Sequence, residues 1–336
     1  MSDSRAAEPR PPFADLSPMR VVEAIESLGL WLPGEPFALN AYENRVYLIH
    51  DDERRRWVAK FYRPERWSDE QIQEEHDYLD ELSEAGVPVA APWRDAEGHS
   101  LHHVDGYRLT LFPHLPGQAP ELDNPEHLFA LGELMGRAHK VGERRSFQHR
   151  PRLDLLAMVG EAREIVLDSP WLDRRQRSVY ERTSTKLQEL LADKVLPDDA
   201  AIRAHGDCHI GNILGRDASF ALVDFDDALM APAIQDLWML LTADAPEERQ
   251  MQLSEVLEGY EQEREFDRGE LRLIEALRTF RLIRHSAWLV SRWNDPAFPL
   301  AFPWLVETSY WDTHIRQLEQ QRIAMDDSER WMAGVD

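Results

Sequence analysis

Three oxygen-bearing side chains stand close together between His205 and Asp227 (HGDCHIGNILGRDASFALVDFDD): Asp207, Asn212 and Asp224. An apolar segment separates the last two and reads as a hairpin. Ile213-Leu214 forms one strand, Gly215 to Ala218 the turn, and Phe220 to Val223 the return strand. The open ends of a hairpin are neighbours, so the spacing predicts that the Asn212 amide and the Asp224 carboxylate meet at one point. Asp207, on the incoming loop, reaches the same place. An amide oxygen and a carboxylate suit Mg2+ held against nucleotide phosphates, and a second carboxylate can accept the proton of an attacking hydroxyl. The set points to phosphoryl transfer. An acidic surface hairpin would account for the D-x-x-x-x-N spacing alone, but not for the further aspartate behind an apolar strand.

Protein kinases carry H-R-D-x-x-x-x-N and, later, D-F-G; this chain has His205-Gly206-Asp207, Asn212 at the same interval, and Asp224-Phe225-Asp226. The pattern HGDxHxxN, hairpin, DFD resembles the aminoglycoside phosphotransferase and choline kinase branch of the protein-kinase-like fold. Within it the chain is similar to the stress response kinase A family, through HGDCHxGNIL, Tyr42-Glu43-Asn44-Arg45-Val46-Tyr47, Val58 to Trp67 (VAKFYRPERW) and Pro232 to Trp238 (PAIQDLW). The likeness runs from about residue 37 to about 315. It implies a cytoplasmic, Mg-ATP-dependent serine/threonine protein kinase with Asp207 as base and Asn212 and Asp224 on Mg2+. It also implies a nucleotide-phosphate contact at Ala41, made through the backbone, and a role for Asp236 in anchoring the catalytic-loop backbone. No GxGxxG is present near Ala41, a departure from protein kinases.

The elements that must position these groups are legible in outline. Phe37 to Ile49 reads as two strands around Ala41 to Asn44. Trp57 to Tyr62 is a strand of period two, with Val58, Lys60 and Tyr62 on one face. A lysine in mid-strand either blunts a sheet edge or faces an anion. Ser68 and Gln71 make a capping box for a helix to about Ser83. Glu75 lies on its apolar face with Ile72, Leu79 and Leu82, whereas Glu74 reads as solvated. A carboxylate on an apolar face needs a cation, so Lys60–Glu75 is the expected pair, orienting the lysine on the α and β phosphates; Val58 would then border the adenine. Val87 to Pro92 and Tyr107 to Phe112 are expected to complete the sheet. The expectation is an α+β, bilobal protein-kinase-like fold: a small antiparallel-sheet lobe (1–112, with a loose tail to about residue 12), a hinge at 113–117 whose backbone would meet the adenine edge, and a larger, mostly helical lobe (118–336).

Other features narrow the alternatives. A formal net charge of -24 over 336 residues argues against nucleic-acid partners and anionic membranes. No apolar run approaches a membrane span, and the first residues lack a signal-peptide core. One cysteine excludes a disulfide framework. Cys208 adjoins Asp207, and a small buried side chain is favoured there over a redox switch. His205 and His209 read as loop-ordering residues rather than a zinc pair, and His139 as a buried structural histidine. Asp226 is either an acid supporting the metal or a solvated charge. From Phe225 to Leu241 there is no Ser, Thr or Tyr, so this segment cannot be switched by phosphorylation and the site should be constitutively assembled. The expected protein is a cytoplasmic monomer acting on Ser/Thr hydroxyls of proteins, with ATP as co-substrate and Mg2+ as cofactor. The competing readings are a kinase of a small alcohol (aminoglycoside, choline or homoserine-like) and an inactive nucleotide-binding regulator.

Overall fold

The computed structural model describes residues 11–194, 200–327 and 331; the expected loose tail lies almost wholly outside them. In chain order come α1 (Pro18–Glu26), β1 (Phe37–Ala38), β2 (Arg45–His50), β3 (Arg56–Phe61), α2 (Asp69–Glu84), β4 (His102–Val104) and β5 (Tyr107–Pro113). Next are α3 (Pro125–Gly142), α4 (Leu155–Asp168), α5 (Arg174–Leu191), β6 (Ile202–Ala204), β7 (Ile213–Arg216), β8 (Ser219–Leu222) and β9 (Leu229–Ala231). The last elements are helices: α6 (Ile234–Leu237), α7 (Pro246–Tyr260), α8 (Ile274–Ser291), α9 (Ala297–Ala301) and α10 (Thr308–Asp326). This is an α+β chain with a small antiparallel sheet and many helices. It divides into two compact units, neither continuous in sequence. The first takes in residues up to Asp69, Trp93–His114 and Ser291–Pro303; the second takes in Glu70–Pro92, Leu115–Val290 and the chain from Trp304.

The first unit is a five-stranded sheet in the order β1-β2-β3-β5-β4, every neighbour antiparallel. Helix α1 starts at Ser17, whose hydroxyl accepts the Arg20 amide, with Pro18 in the first turn. It buries Val21, Ala24 and Ile25 against Ile49, Ala59, Phe61, Leu109 and Leu111 of the sheet. Alternation along β3 therefore turns Val58 and Lys60 to the opposite face. Lys60 pairs across to Val46 on one side and Thr110 on the other, so it sits in an interior strand. Edge-blunting does not explain it. One expectation is corrected: residues 87–92 form no strand of this sheet, and the fifth strand is His102–Val104. Pro88 and Pro92 bring no N–H to a ladder, and this stretch makes only a bridge from Val89 to Leu222 in the second unit.

The loop between β1 and β2 is clamped by arginines. Arg63 donates to the carbonyls of Tyr42 and Glu43 and to Asp295 at 2.6 Å, and Arg45 donates to both Asp295 oxygens. Glu43 is met by Arg63, Arg66 and Arg292, and the Tyr42 ring packs on Phe298 and Phe302.

The second unit is built on helices, with α3 lying along α7, α4 along α5 and α5 along α10. Asn124 caps α3 by accepting the Glu126 amide, again ahead of a first-turn proline. Two short ribbons cross this scaffold, β6–β9 and the hairpin β7–β8. Of the aromatic residues between 293 and 311, Phe298 and Trp311 are buried, while Trp304 is exposed. Among the described residues no helix is long and apolar enough to cross a membrane.

Removing a partner from a buried ion pair leaves an unpaired buried charge. Asp295→Ala should therefore lower stability by about 3 kcal/mol in a denaturant titration, and an unchanged midpoint would show that the clamp is not structural.

Candidate active site

Strand β6 delivers the chain into His205, and Gly206 makes the turn. Its φ is +88°, and a Cβ there would stand 2.1 Å from the Asp227 carbonyl oxygen, so only glycine fits. The Asp236 carboxylate, fully buried, holds the loop from behind: Oδ2 accepts the His205 amide at 2.7 Å and Oδ1 the Gly206 amide at 2.8 Å. His139 Nε2 lies 3.1 Å from the same carboxylate and its Nδ1 lies 3.0 Å from the Tyr260 hydroxyl. Burial alone would raise the Asp236 pKa; the bonds to His139 and Gly206 and the nearby imidazoles outweigh it and hold the carboxyl below the usual range.

The two histidines of the motif order the loop. His205 Nδ1 accepts the Asp207 amide, so its Nε2–H donates to the Val223 carbonyl at 2.9 Å. His209 Nδ1 accepts the Gly211 amide, and its Nε2 lies 3.5 Å from Asp207 Oδ2. Burial lowers the His209 pKa, in keeping with Nδ1 as the acceptor and the hydrogen on Nε2. Among the described residues no group of three or more His, Cys, Asp or Glu could hold a metal ion, so the histidine pair finds no zinc partners there.

The hairpin forms where the sequence predicts it, with a tighter turn than expected: Gly215 and Arg216 belong to the first strand, and only Asp217 and Ala218 lie between the two. Ile213 pairs with Leu222 and Arg216 with Ser219. One step beyond the ladder, the Val223 amide donates to the Asn212 carbonyl at 3.0 Å, which sets Asn212 beside the residue preceding Asp224. Asn212 Nδ2 donates to the Asp207 carbonyl at 3.0 Å. That bond fixes the amide orientation and leaves Oδ1 as its acceptor end. Asp224 adopts the left-handed conformation, φ 60° and ψ 68°, which aspartate tolerates better than most residues. An amide oxygen and a carboxylate are hard donors that fit Mg2+.

Ala41, Val58 and Lys60 belong to the other unit. The Ala41 amide donates to the Leu39 carbonyl at 2.9 Å; Val58 is half-buried; Lys60 is buried, its Nζ over the Tyr62 ring at 5.0 Å.

Sequence reasoning missed the residue that Glu75 meets within its own unit. Arg150, fully buried, donates to Glu75 Oε2 at 2.7 Å, to the Gln71 carbonyl and to the carbonyls of Asp226 and Ala228. It sits in an irregular stretch, FQHRPR, where no period or motif marks it. Glu74, expected to be solvated, is half-buried and accepts the amides of Gln148, His149 and Arg150, and these bonds hold its pKa down against the opposing effect of burial. Asp226 is buried, which excludes the solvated-charge reading. Cys208 is a buried side chain against Met135, and burial pushes its thiol pKa well up. The native thiol should therefore resist a disulfide reagent until denaturant is added; rapid native labelling would contradict its burial.

Glu270 supports the Asp236 turn by accepting the Ile234 amide at 2.8 Å. Burial, reinforced by Asp267, raises its pKa to about 7. The folded state thus favours the protonated acid, a contribution fully present below the unfolded value and lost as pH rises through about 7. Glu270→Gln should gain about 3 kcal/mol relative to wild type between roughly pH 4.5 and pH 8 in denaturant titrations; parallel pH profiles would refute this.

The model of the phosphotransferase enzyme family (APH) matches residues 35–274. Serine/threonine protein kinase RdoA of Salmonella typhimurium is 43% identical over 312 residues, 93% of this chain and 94% of that protein. Stress response kinase A of Escherichia coli K12 is 42% identical over 299 residues, 89% and 90% of the two chains. Among solved structures, amicoumacin kinase in complex with AMP-PNP, Ca2+ and Ami aligns with a TM-score of 0.71 at 22% identity, over 92% of this chain and 93% of that one, a likeness of fold. A family model spanning most of the chain, and relatives this similar over nearly its whole length, lead to one conclusion: the chain belongs to the phosphotransferase enzyme family and, within it, to the stress response kinase A family.

Proposed function

We propose that the protein is a Mg-ATP-dependent serine/threonine protein kinase, with Asp207 as base. The observation that carries this reading is the loop and hairpin geometry that sets the Asn212 amide beside both Asp207 and the strand end leading to Asp224. The acceptor hydroxyl oxygen attacks the γ-phosphorus, the bond from that phosphorus to the β–γ bridging oxygen breaks, ADP leaves, and Asp207 takes the hydroxyl proton. Mg2+, held by Asn212 Oδ1 and Asp224, neutralises phosphate charge when bound.

Lys60 orients the α and β phosphates with Glu75 as its counter-ion. Glu75 already accepts from Arg150, and a carboxylate has acceptor sites enough for both. Val58 borders the adenine. Ala41 offers its backbone to phosphate, in competition with the Leu39 carbonyl its amide now meets. Residues 113–117 serve as the hinge between a nucleotide-clamping lobe (1–112) and a catalytic lobe (118–336). The protein acts in the cytoplasm as a monomer, on protein acceptors, with no role for nucleic acid or membrane.

Incubation with γ-labelled ATP, a generic protein acceptor and a panel of small alcohols tests this. Wild type should label the protein, and Asp207→Ala should lower the rate by about 10²–10⁴-fold. Label confined to small alcohols would overturn the protein-kinase reading, and nucleotide binding without turnover would leave the inactive regulator.

A further inference from the structure

Helix α8 brings two guanidinium groups to the catalytic loop. Arg281 Nη1 donates to Asp207 Oδ1 at 2.5 Å, and three residues on, Arg284 Nη2 lies 3.4 Å from Asp227 Oδ1. These side chains are 45% and 48% exposed. Each guanidinium carries five N–H donors in a planar fork, and each meets one carboxylate here, so donors remain for a second one. Arg284 also lies over the Phe280 ring at 5.4 Å. His285 and Trp288 continue the same helix face, their rings 5.8 Å apart.

Two features give this face meaning. The chain carries a net charge of -24, so a pair of exposed cations flanking the base runs against its general character. Moreover, each oxygen of the part-exposed Asp207 carboxylate has a neighbour, Oδ1 in Arg281 and Oδ2 in His209 at 3.5 Å. A hydroxyl that bonds Oδ1 competes there with the arginine. An acceptor that offers the guanidinium a second carboxylate makes that exchange easy, because a planar fork binds carboxylate in two places at once. A cationic amino alcohol offers nothing in exchange and is repelled.

We propose that Arg281 and Arg284 read an acidic side chain next to the acceptor hydroxyl, so that the substrate is a Ser or Thr flanked by Asp or Glu. This rests on the protein-kinase reading and narrows it. Without such a group Arg281 keeps its contact with Asp207.

The test uses the full chain, γ-labelled ATP and peptides of one sequence that differ only in the residues flanking the serine: Asp, Asn or Lys. Wild type should favour the Asp peptide over the Asn peptide by about ten-fold in kcat/KM, and the Lys peptide should be poorest. The preference should shrink as salt is raised. Arg281→Ala should bring the Asp:Asn ratio close to one, and Arg281→Lys should retain part of it; Arg284→Ala is the second variant should the first fail to fold. Equal use of Asp and Asn peptides by wild type, or a preference for Lys, overturns the inference while leaving the kinase reading intact. A fall by the same factor on every peptide with Arg281→Ala also overturns it, since that places the guanidinium on the transferring phosphate. Wild type that labels only small alcohols removes both.

Discussion

A buried carboxylate holds the loop from which the rest of the site hangs. Asp236 has no exposure, and an ionised carboxylate there is tolerable only because every approach to it carries a donor. The polarity of that network can be read outward. Arg264 donates to the Tyr260 hydroxyl, which turns the hydroxyl hydrogen toward His139 Nδ1. His139 is then protonated on Nε2 and donates to Asp236. The carboxylate in turn receives the amides of His205 and Gly206. One chain of donors thus links α7, α3 and the loop, and it dictates the direction in which Asp207 leaves the turn. Loss of any member would leave a buried polar group without its partner, a larger penalty than the single bond suggests.

A second set of bonds fixes helix α2 to the same unit. Glu74 and Gln71 hold the backbone of 148–150, Arg150 joins Glu75 to the carbonyls of Asp226 and Ala228, and Glu81 takes a two-pronged contact from Arg203 just before the catalytic loop. Tyr78 adds a bond to the Arg203 carbonyl. The glutamate and the segment after Asp224 are therefore tied through one guanidinium. The segment itself holds no hydroxyl to phosphorylate.

How much of this was legible in the sequence follows from which forces are local. The hairpin between Asn212 and Asp224 was readable because turn chemistry and alternation act over a few residues, and the same holds for the period-two face bearing Lys60. Glu75 announced a buried partner, since an acid on an apolar stripe demands one. What it could not announce was Arg150, which lies 75 positions away in an irregular stretch. Glu74 was misjudged for the same reason: its partners are backbone amides of that distant stretch, and no pattern in α2 records them. Val87 to Pro92 has strand-like residues, yet its prolines remove the donors a ladder requires, and the edge went to His102–Val104. Arg281 is marked by no motif in the sequence; its nearness to Asp207 is a fact of tertiary packing.

The choice of cation runs through all these contacts and separates structural from chemical roles. The chain has four lysines among its 38 basic residues. The buried clamps at Arg63, Arg150 and Arg203 each satisfy several carbonyls or carboxylates at once, a task that needs a planar fork and a charge that is never lost. The loop at residues 42–45 illustrates the gain. Where a glycine-rich turn would rely on backbone freedom, this one is held by side chains, and none of its residues has positive φ. Lys60 breaks the rule, since it is the only lysine that is buried, in an interior strand, where arginine elsewhere in the chain takes such positions. An ammonium is a compact point charge with donors that rotate, suited to phosphate oxygens whose positions shift as a bond breaks, and poorly suited to bracing a fold.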